Sequence, residues 1–162
     1  MIYTAHYTSP LGGITLASDG IALTGLYFDG EPGCPPYDAA HKKNLPVFGE
    51  VMRWLVLYFA GKEPDIMPVL NPTGTAFQQA VWDILRTIPY GGTTTYGAIA
   101  KRLEKVTGKR MSAQAVGGAV GRNPISILIP CHRVIGADGS LTGYAGGLDK
   151  KAYLLGLEGF YS

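Results

Sequence analysis

The thirteen residues from Lys62 to Gly74 hold three prolines, Pro64, Pro68 and Pro72. A proline has no amide hydrogen to give to a helix or a sheet ladder, so no helix and no interior strand can run through this stretch. The chain of 162 residues is therefore expected to fold as two parts, an N-terminal one over 1–74 that includes the linker and a C-terminal one over 75–162. Pro32, Gly33, Pro35 and Pro36 make a second interruption, so 30–45 reads as loop.

Short β-type runs occupy Ile2 to Tyr7, Ile14 to Ala17 and Ile21 to Phe28, divided by Ser9-Pro10-Leu11-Gly12-Gly13 and by Asp19-Gly20. Turn-forming residues between such runs predict a meander of hairpins. From Pro46 to Gly61, Phe48, Val51, Met52, Leu55 and Phe59 recur at helical spacing, which lays one stripe of a helix against that sheet.

The second part reads as helices and turns. Thr75 and Gln78 have the spacing of a capping box, and Phe77, Val81, Leu85 and Ile88 make one apolar face before Pro89-Tyr90-Gly91-Gly92 stops the helix. Thr95 can cap a helix from Tyr96 to about Leu103, and Ser112 another from Ala113 to about Arg122, ended by Asn123-Pro124. Two short helices joined by a polar, basic turn predict a helix-turn-helix. A strand-like apolar run, Ile125 to Ile129, follows, then a Gly-rich loop from Gly136 to Gly147 and a last helix, Leu148 to Leu157. The fold class expected is α/β: a small N-terminal β-meander plus helix domain, followed by a mostly helical C-terminal domain with a winged-helix-like helix-turn-helix.

Charge divides the same way. Residues 1–74 carry 4 Lys and Arg against 7 Asp and Glu, residues 75–162 carry 10 against 5, and the two parts are thus −3 and +5. A positive second part suits a polyanion such as nucleic acid, although a solvated charged face accounts for the same count. Cys34 and Cys131 sit in unlike contexts, which argues against a disulfide framework and for the cytoplasm, where thiols stay reduced. No apolar run is long enough to span a bilayer, and the start lacks a basic region followed by an apolar one, so no membrane association is expected.

Cys131 stands between Pro130 and His132. A thiol attacks as thiolate, and a neighbouring base promotes that form. A lone Cys-His pair is also what a small buried thiol beside a surface histidine looks like. The wider run, Asn123-Pro124-Ile125-Ser126-Ile127-Leu128-Ile129-Pro130-Cys131-His132-Arg133-Val134-Ile135, decides between them. It resembles the active-site signature of the O6-alkylguanine-DNA alkyltransferases, Pro-Cys-His-Arg-Val after an Asn-containing hinge. Phe77-Gln78-Gln79 with Val81-Trp82, Ile88-Pro89-Tyr90-Gly91 with Thr95-Tyr96-Gly97, Ala115-Val116-Gly117-Gly118-Ala119, and Thr142-Gly143-Tyr144-Ala145-Gly146-Gly147-Leu148 through Glu158-Gly159 follow in family order. The resemblance covers about residues 75–160 through these motifs and the N-terminal part only by general architecture.

The resemblance implies a single-use DNA repair protein. An alkyl group would pass irreversibly from O6-alkylguanine in double-stranded DNA, and from O4-alkylthymine, to Cys131. His132 would act as base through a water, and Glu158 would orient it, as in hydrolytic triads. Tyr96 would donate to guanine N3, with Lys151 nearby. The carbonyls of Cys131 and Val134 would accept from the guanine amino group, Tyr144 would flank the base and the Ala145 N–H would point at O6. Each has an ordinary alternative: Glu158 solvated, Lys151 exposed on its helix, Tyr96 and Tyr144 merely packed. Arg133 reads as structural, a tie for the short loop, and Asn123 as the hinge between the DNA-binding helix and the active-site strand.

Ala115, Gly118 and Ala119 share a helix face at i, i+3 and i+4 and would let that helix approach the minor groove, where the family rotates the damaged nucleotide out of the stack. Packing against another helix explains such a stripe equally well. Thr95, Arg110, Gln114 and Arg122 complete the expected DNA contacts. The chain departs from its family at Gln114, where most members carry an arginine that fills the place of the extruded nucleotide, and the turn from Glu104 to Met111 is longer, adding Lys105, Lys109 and Arg110. His6, Cys34 and His41 are too few and too scattered for a tetrahedral zinc site, so no metal is expected, and no cofactor. A monomer is expected. The rival readings are a non-enzymatic sensor of alkylated DNA, which in related proteins has tryptophan at the cysteine position, a turning-over thiol hydrolase or acyltransferase, and an architectural helix-turn-helix protein.

Overall fold

The computed structural model describes residues 2–36 and 44–160. The chain divides into two compact units, Met1–Thr73 and Gly74–Ser162. In the first, β1 (Tyr3–Ser9), β2 (Gly12–Ser18) and β3 (Leu23–Phe28) form an antiparallel meander in the order β1-β2-β3. The β2–β3 turn is made by side chains. Asp19 Oδ1 accepts from the N–H groups of Ile21 and Ala22 (2.9 Å each), and Ser18 Oγ donates to the Ala22 carbonyl (2.6 Å). These bonds draw Ile21, expected to begin the third strand, into an exposed turn position.

The helix α1 (Pro46–Phe59) starts with proline in its first turn, where the missing N–H costs nothing. Its buried face is Val47, Phe48, Val51, Trp54, Leu55 and Tyr58, rotated from the expected stripe because Trp54 and Tyr58, stacked at 5.1 Å, take the inside and leave Met52 and Phe59 half-buried. The proline-rich linker also pairs. Leu23 N donates to the Val69 carbonyl (2.9 Å) and Asn71 N to the Leu23 carbonyl (2.8 Å), a short parallel bridge beside β3.

The second unit holds α2 (Ala76–Leu85), β4 (Thr94–Thr95), α3 (Tyr96–Thr107), α4 (Ala113–Gly121), a single 3-10 turn at Cys131–Arg133, β5 (Val134–Ile135) and α5 (Leu148–Leu157). Both bonds of the Thr75/Gln78 capping box form, and Thr95 and Ser112 cap α3 and α4 by accepting from Ala98 N and Ala115 N. Helix α3 runs one turn beyond Leu103, to a left-handed Gly108 that ends it. Among the described residues no helix is long and apolar enough to cross a membrane.

Candidate active site

Where a strand was expected at Ile125 to Ile129, the chain makes a buried compact turn instead. Leu128 N donates to the Ser126 carbonyl (2.8 Å) and Ile129 N to the Ile125 carbonyl (3.1 Å), with Ile127 at φ 70. A β-branched residue in that region is strained by about 1–3 kcal/mol, and it persists here because Ile125, Ile127, Leu128 and Ile129 are all buried. Asn123 staples the turn: its Nδ2 donates to the Ile129 carbonyl (2.8 Å) and its Oδ1 accepts from Ile125 N (3.0 Å). Asn123, expected as a hinge, thus leads into a turn, and a 3-10 turn at Cys131–Arg133 follows it.

Cys131 sits in that turn, 7% exposed, and its carbonyl accepts from Val134 N. β5 then pairs in parallel with β4, Thr94 opposite Val134 and Thr95 opposite Ile135. This ladder ties the cysteine turn to Thr95, whose hydroxyl is committed to the α3 cap, and so to Tyr96 at the first position of that helix.

The two residues that follow Cys131 enter a buried charge cluster. His132, with no exposed surface, places Nε2 2.7 Å from Glu158 Oε2. Arg133 grips the same carboxylate with two donors, Nε to Oε1 (2.7 Å) and Nη2 to Oε2 (3.1 Å), sends Nη1 to the Ile88 carbonyl (2.7 Å), and lies 5.9 Å from the centre of the Tyr90 ring. Gly91 N adds a fourth donor to Glu158 Oε1 (3.3 Å), and Gly91, at φ 80, passes so close that a Cβ there would lie 3.2 Å from the Glu158 carbonyl. A carboxylate met by four donors, two of them on a guanidinium, stays ionised. It therefore accepts from His132 Nε2–H, which leaves Nδ1 as the basic ring nitrogen. Glu158 is the residue that ends α5, 7% exposed and far from solvated, and Arg133, expected to be structural, clamps that carboxylate while it ties down the Ile88 carbonyl.

Lys151 is likewise fully buried on α5, against the ordinary expectation for a helix lysine. Its Nζ donates to the carbonyls of Thr142 (2.5 Å) and Gly143 (3.3 Å). Burial pushes its pKa below the usual lysine value, and the neighbouring Cys131 pulls it partly back. The Tyr96 hydroxyl meets Thr142 through both the carbonyl (3.4 Å) and the hydroxyl (3.1 Å). Tyr144 is half-buried and Ala145 exposed on the loop that these bonds hold. Gly91 and Thr142 were not singled out from sequence, and nothing but their places in the motifs marks them.

Burial also holds the His132 ring below the ordinary imidazole pKa of 6.5, with Glu158 opposing that shift. The unfolded chain takes up this proton more readily than the folded one, so the stability from keeping the ring neutral is present above about pH 6.5 and lost as pH falls below it. Thermal or denaturant midpoints should drop on acidification from about pH 7 to 5, by up to about 1.4 kcal/mol per pH unit for one group. His132→Phe should flatten that limb, and a variant profile parallel to the parent's would place the titration elsewhere.

On α4 the exposed residues are Ala113, Gln114, Ala115, Gly118 and Gly121, with Arg122 exposed at its C-cap, whereas Val116, Ala119 and Val120 are buried. Ala119 therefore does not belong to the outward stripe: its carbonyl accepts from the Trp82 indole (2.9 Å), which fixes α4 against α2. A Cβ on Gly118 would meet nothing within 4 Å, so internal packing does not require a glycine there. Arg110 is exposed on the α3–α4 turn, which Glu104 closes by accepting from Met111 N (2.8 Å).

In the first unit, His6 and Cys34, scattered in sequence, line one cleft with Asp29 and Glu31. His6 Nε2 is 2.6 Å from Asp29 Oδ2, and Thr15 donates to Asp29 Oδ1 (2.7 Å). Among the described residues no group of three His, Cys, Asp or Glu could hold a metal ion, and neither cysteine forms a disulfide. His41 lies outside the described residues.

Comparison with known proteins covers both units. Residues 76–160 match the family described as 6-O-methylguanine DNA methyltransferase, DNA binding domain, and residues 2–69 its ribonuclease-like domain. The chain is 45% identical to a methylated-DNA–protein-cysteine methyltransferase of Haemophilus influenzae, over 97% of this chain and 86% of that protein. It is 46% identical to one of Methanosarcina acetivorans, over 98% and 99%. Among solved structures, the O6-methylguanine methyltransferase of Mycobacterium tuberculosis superposes with a TM-score of 0.84 at 42% identity, covering 100% of this chain and 95% of that one. The M. tuberculosis OGT in complex with DNA superposes with a TM-score of 0.82 at 43% identity, over 97% and 91%. With both of its units matched and relatives similar along nearly its whole length, the chain belongs to the 6-O-methylguanine DNA methyltransferase family.

Proposed function

We propose that the chain repairs alkylated DNA by direct reversal, moving the alkyl group of O6-alkylguanine, and of O4-alkylthymine, onto Cys131 once per molecule. The observation that carries this reading is the buried His132–Glu158–Arg133 cluster, built on the two residues that follow Cys131. Glu158 stays a carboxylate, His132 presents Nδ1 as base, and through one water that nitrogen takes the thiol proton. The thiolate sulfur then bonds to the alkyl carbon as the carbon–O6 bond breaks. The electron pair stays on the base, where a proton or hydrogen bond from Tyr96 at N3 and the buried Lys151 charge offset it. Cys131 and Val134 carbonyls accept from the guanine amino group, Tyr144 flanks the ring and Ala145 N–H faces O6. The thioether has no leaving group that water can displace readily, so the protein is consumed.

DNA reaches this site through the helix-turn-helix. Gln114, Ala115 and Gly118 on the outward face of α4, with Arg122 at its C-cap, meet the DNA, and a helical glycine, which costs about 1 kcal/mol relative to alanine, is accounted for at Gly118 by close approach to the minor groove. Thr95 and Arg110 contact the backbone beside it. All the site residues lie in one unit of one chain, which supports action as a monomer, and a thiol nucleophile suits the reducing cytoplasm. A non-enzymatic sensor would have no use for Cys131 and its base.

Incubation with a duplex carrying O6-methylguanine should add the mass of one methylene to the Cys131 peptide, one per protein. Repeated turnover, or no mass change, would overturn the reading. Gln114 gives a second test. If the usual arginine holds the extruded state by charge and stacking, Gln114→Arg should speed reaction with duplex DNA, do less for single strands and leave free O6-alkylguanine unaffected. Equal acceleration of free base and duplex in single-turnover assays would refute the flipping explanation.

A further inference from the structure

Thr142, in the loop between β5 and α5, touches both polar groups assigned to the base. Its carbonyl accepts from Lys151 Nζ (2.5 Å) and from the Tyr96 hydroxyl (3.4 Å), and its own hydroxyl donates to the Tyr96 hydroxyl oxygen (3.1 Å). The two Tyr96 bonds differ in kind. The one that engages the Tyr96 proton is long and weak, so that proton can be redirected at little cost. The one that engages the Tyr96 oxygen is of workable length and survives when the proton turns away. A hydroxyl that already accepts one hydrogen bond donates a stronger second one. As the Tyr96 proton moves toward a base nitrogen, the negative charge that grows on its oxygen meets the Thr142 O–H.

Tyr96 is held by its ring and backbone too. Its ring lies over α4, where a Cβ on Gly117 would be 3.6 Å from Cδ1, and its backbone follows the β4 residues paired to the cysteine turn. Only the direction of the O–H remains to be set, and Thr142 is the residue in contact with it.

We infer that Thr142 is a positioning residue for alkyl transfer, its hydroxyl setting the direction and donor strength of the Tyr96 hydroxyl while its carbonyl holds Lys151. The inference rests on the direct-reversal reading and adds a residue to its proton path.

The test is single-turnover reaction of the full chain with saturating duplex carrying O6-methylguanine, read by rapid quench and by the mass of the Cys131 peptide. Thr142→Val, which keeps the shape and removes the donor, should lower the maximal rate about tenfold, equivalent to about 1.4 kcal/mol in the barrier. The half-saturating duplex concentration should stay within about twofold of the parent's, because the lost bond strengthens in the transition state. Thr142→Ser should restore the rate, and in a Tyr96→Phe background Thr142→Val should slow nothing further. A parental rate for Thr142→Val, equal slowing in the Tyr96→Phe background, or failure of serine to rescue would each overturn the inference. Should the parental chain place no methyl on Cys131, the repair reading itself falls and the inference with it. Normal transfer with an unaffected Thr142→Val removes the inference alone.

Discussion

The Cys131→Ala variant should transfer no alkyl group, fold as the parent does and bind duplex DNA with nearly parental affinity. Transfer needs a sulfur that can bond to the alkyl carbon, and alanine offers none. The fold should tolerate the change because the thiol is a small side chain in a turn held by other bonds, those of Asn123 to Ile125 and Ile129 and of Val134 N to the Cys131 carbonyl. Loss of one buried atom leaves a small void, with an expected cost on the order of 1 kcal/mol. DNA affinity comes from phosphate neutralisation and from the α4 face, neither of which uses the sulfur. Titration of labelled duplex at fixed salt checks the binding, and peptide mass checks the transfer. A variant that still demethylated an oligonucleotide, with the methyl on Cys34, would show that the nucleophile was wrongly assigned.

Removing the Glu158 carboxylate should have the largest combined effect on stability and rate. Glu158→Ala leaves the buried His132 ring and the Arg133 guanidinium without their shared acceptor, and breaking a buried ion pair from one side costs about 3–5 kcal/mol. The rate should fall as well, by about 10²–10⁴-fold, because nothing then holds the tautomer that leaves Nδ1 as the basic nitrogen. Glu158→Gln should fall between parent and alanine in stability, since an amide oxygen still accepts but the charge opposite Arg133 is gone. Denaturant midpoints with single-turnover rates measure both. A Glu158→Ala chain that was within about 1 kcal/mol of the parent and reacted at its rate would contradict the cluster's role in each.

Glu158 also shows the two levels at which this site could be read. Its family motif marks it as the orienter of His132, and the structure supplies that contact. That it equally serves Arg133, 25 residues away in the chain, could not be read, because no local pattern records which cation a carboxylate meets across the fold. Lys151 is a similar case. Its place in a helix argues for exposure, yet the Thr142–Gly143 loop covers it and supplies carbonyls to its ammonium.

What the sequence determined by itself is the set of features that close within a turn or two. The capping box of Thr75 and Gln78, the caps at Thr95 and Ser112, the hairpin breaks and the helix-ending Asn123-Pro124 depend on residues at most a few positions apart, and the structure has them where spacing places them. The tertiary structure decided the rest. A continuous apolar run such as Ile125 to Ile129 has no period to separate a strand from a buried turn, and the Asn123 staple settles it. Gly118 and Ala119 are neighbours of similar size, and packing in the fold, with the Trp82 indole 37 residues before Ala119 donating to its carbonyl, buries one and leaves the other exposed. Helix caps close across three residues and follow from which side chain stands at that spacing. Burial and long-range charge pairing follow from what packs opposite, and that exists only once the chain has folded.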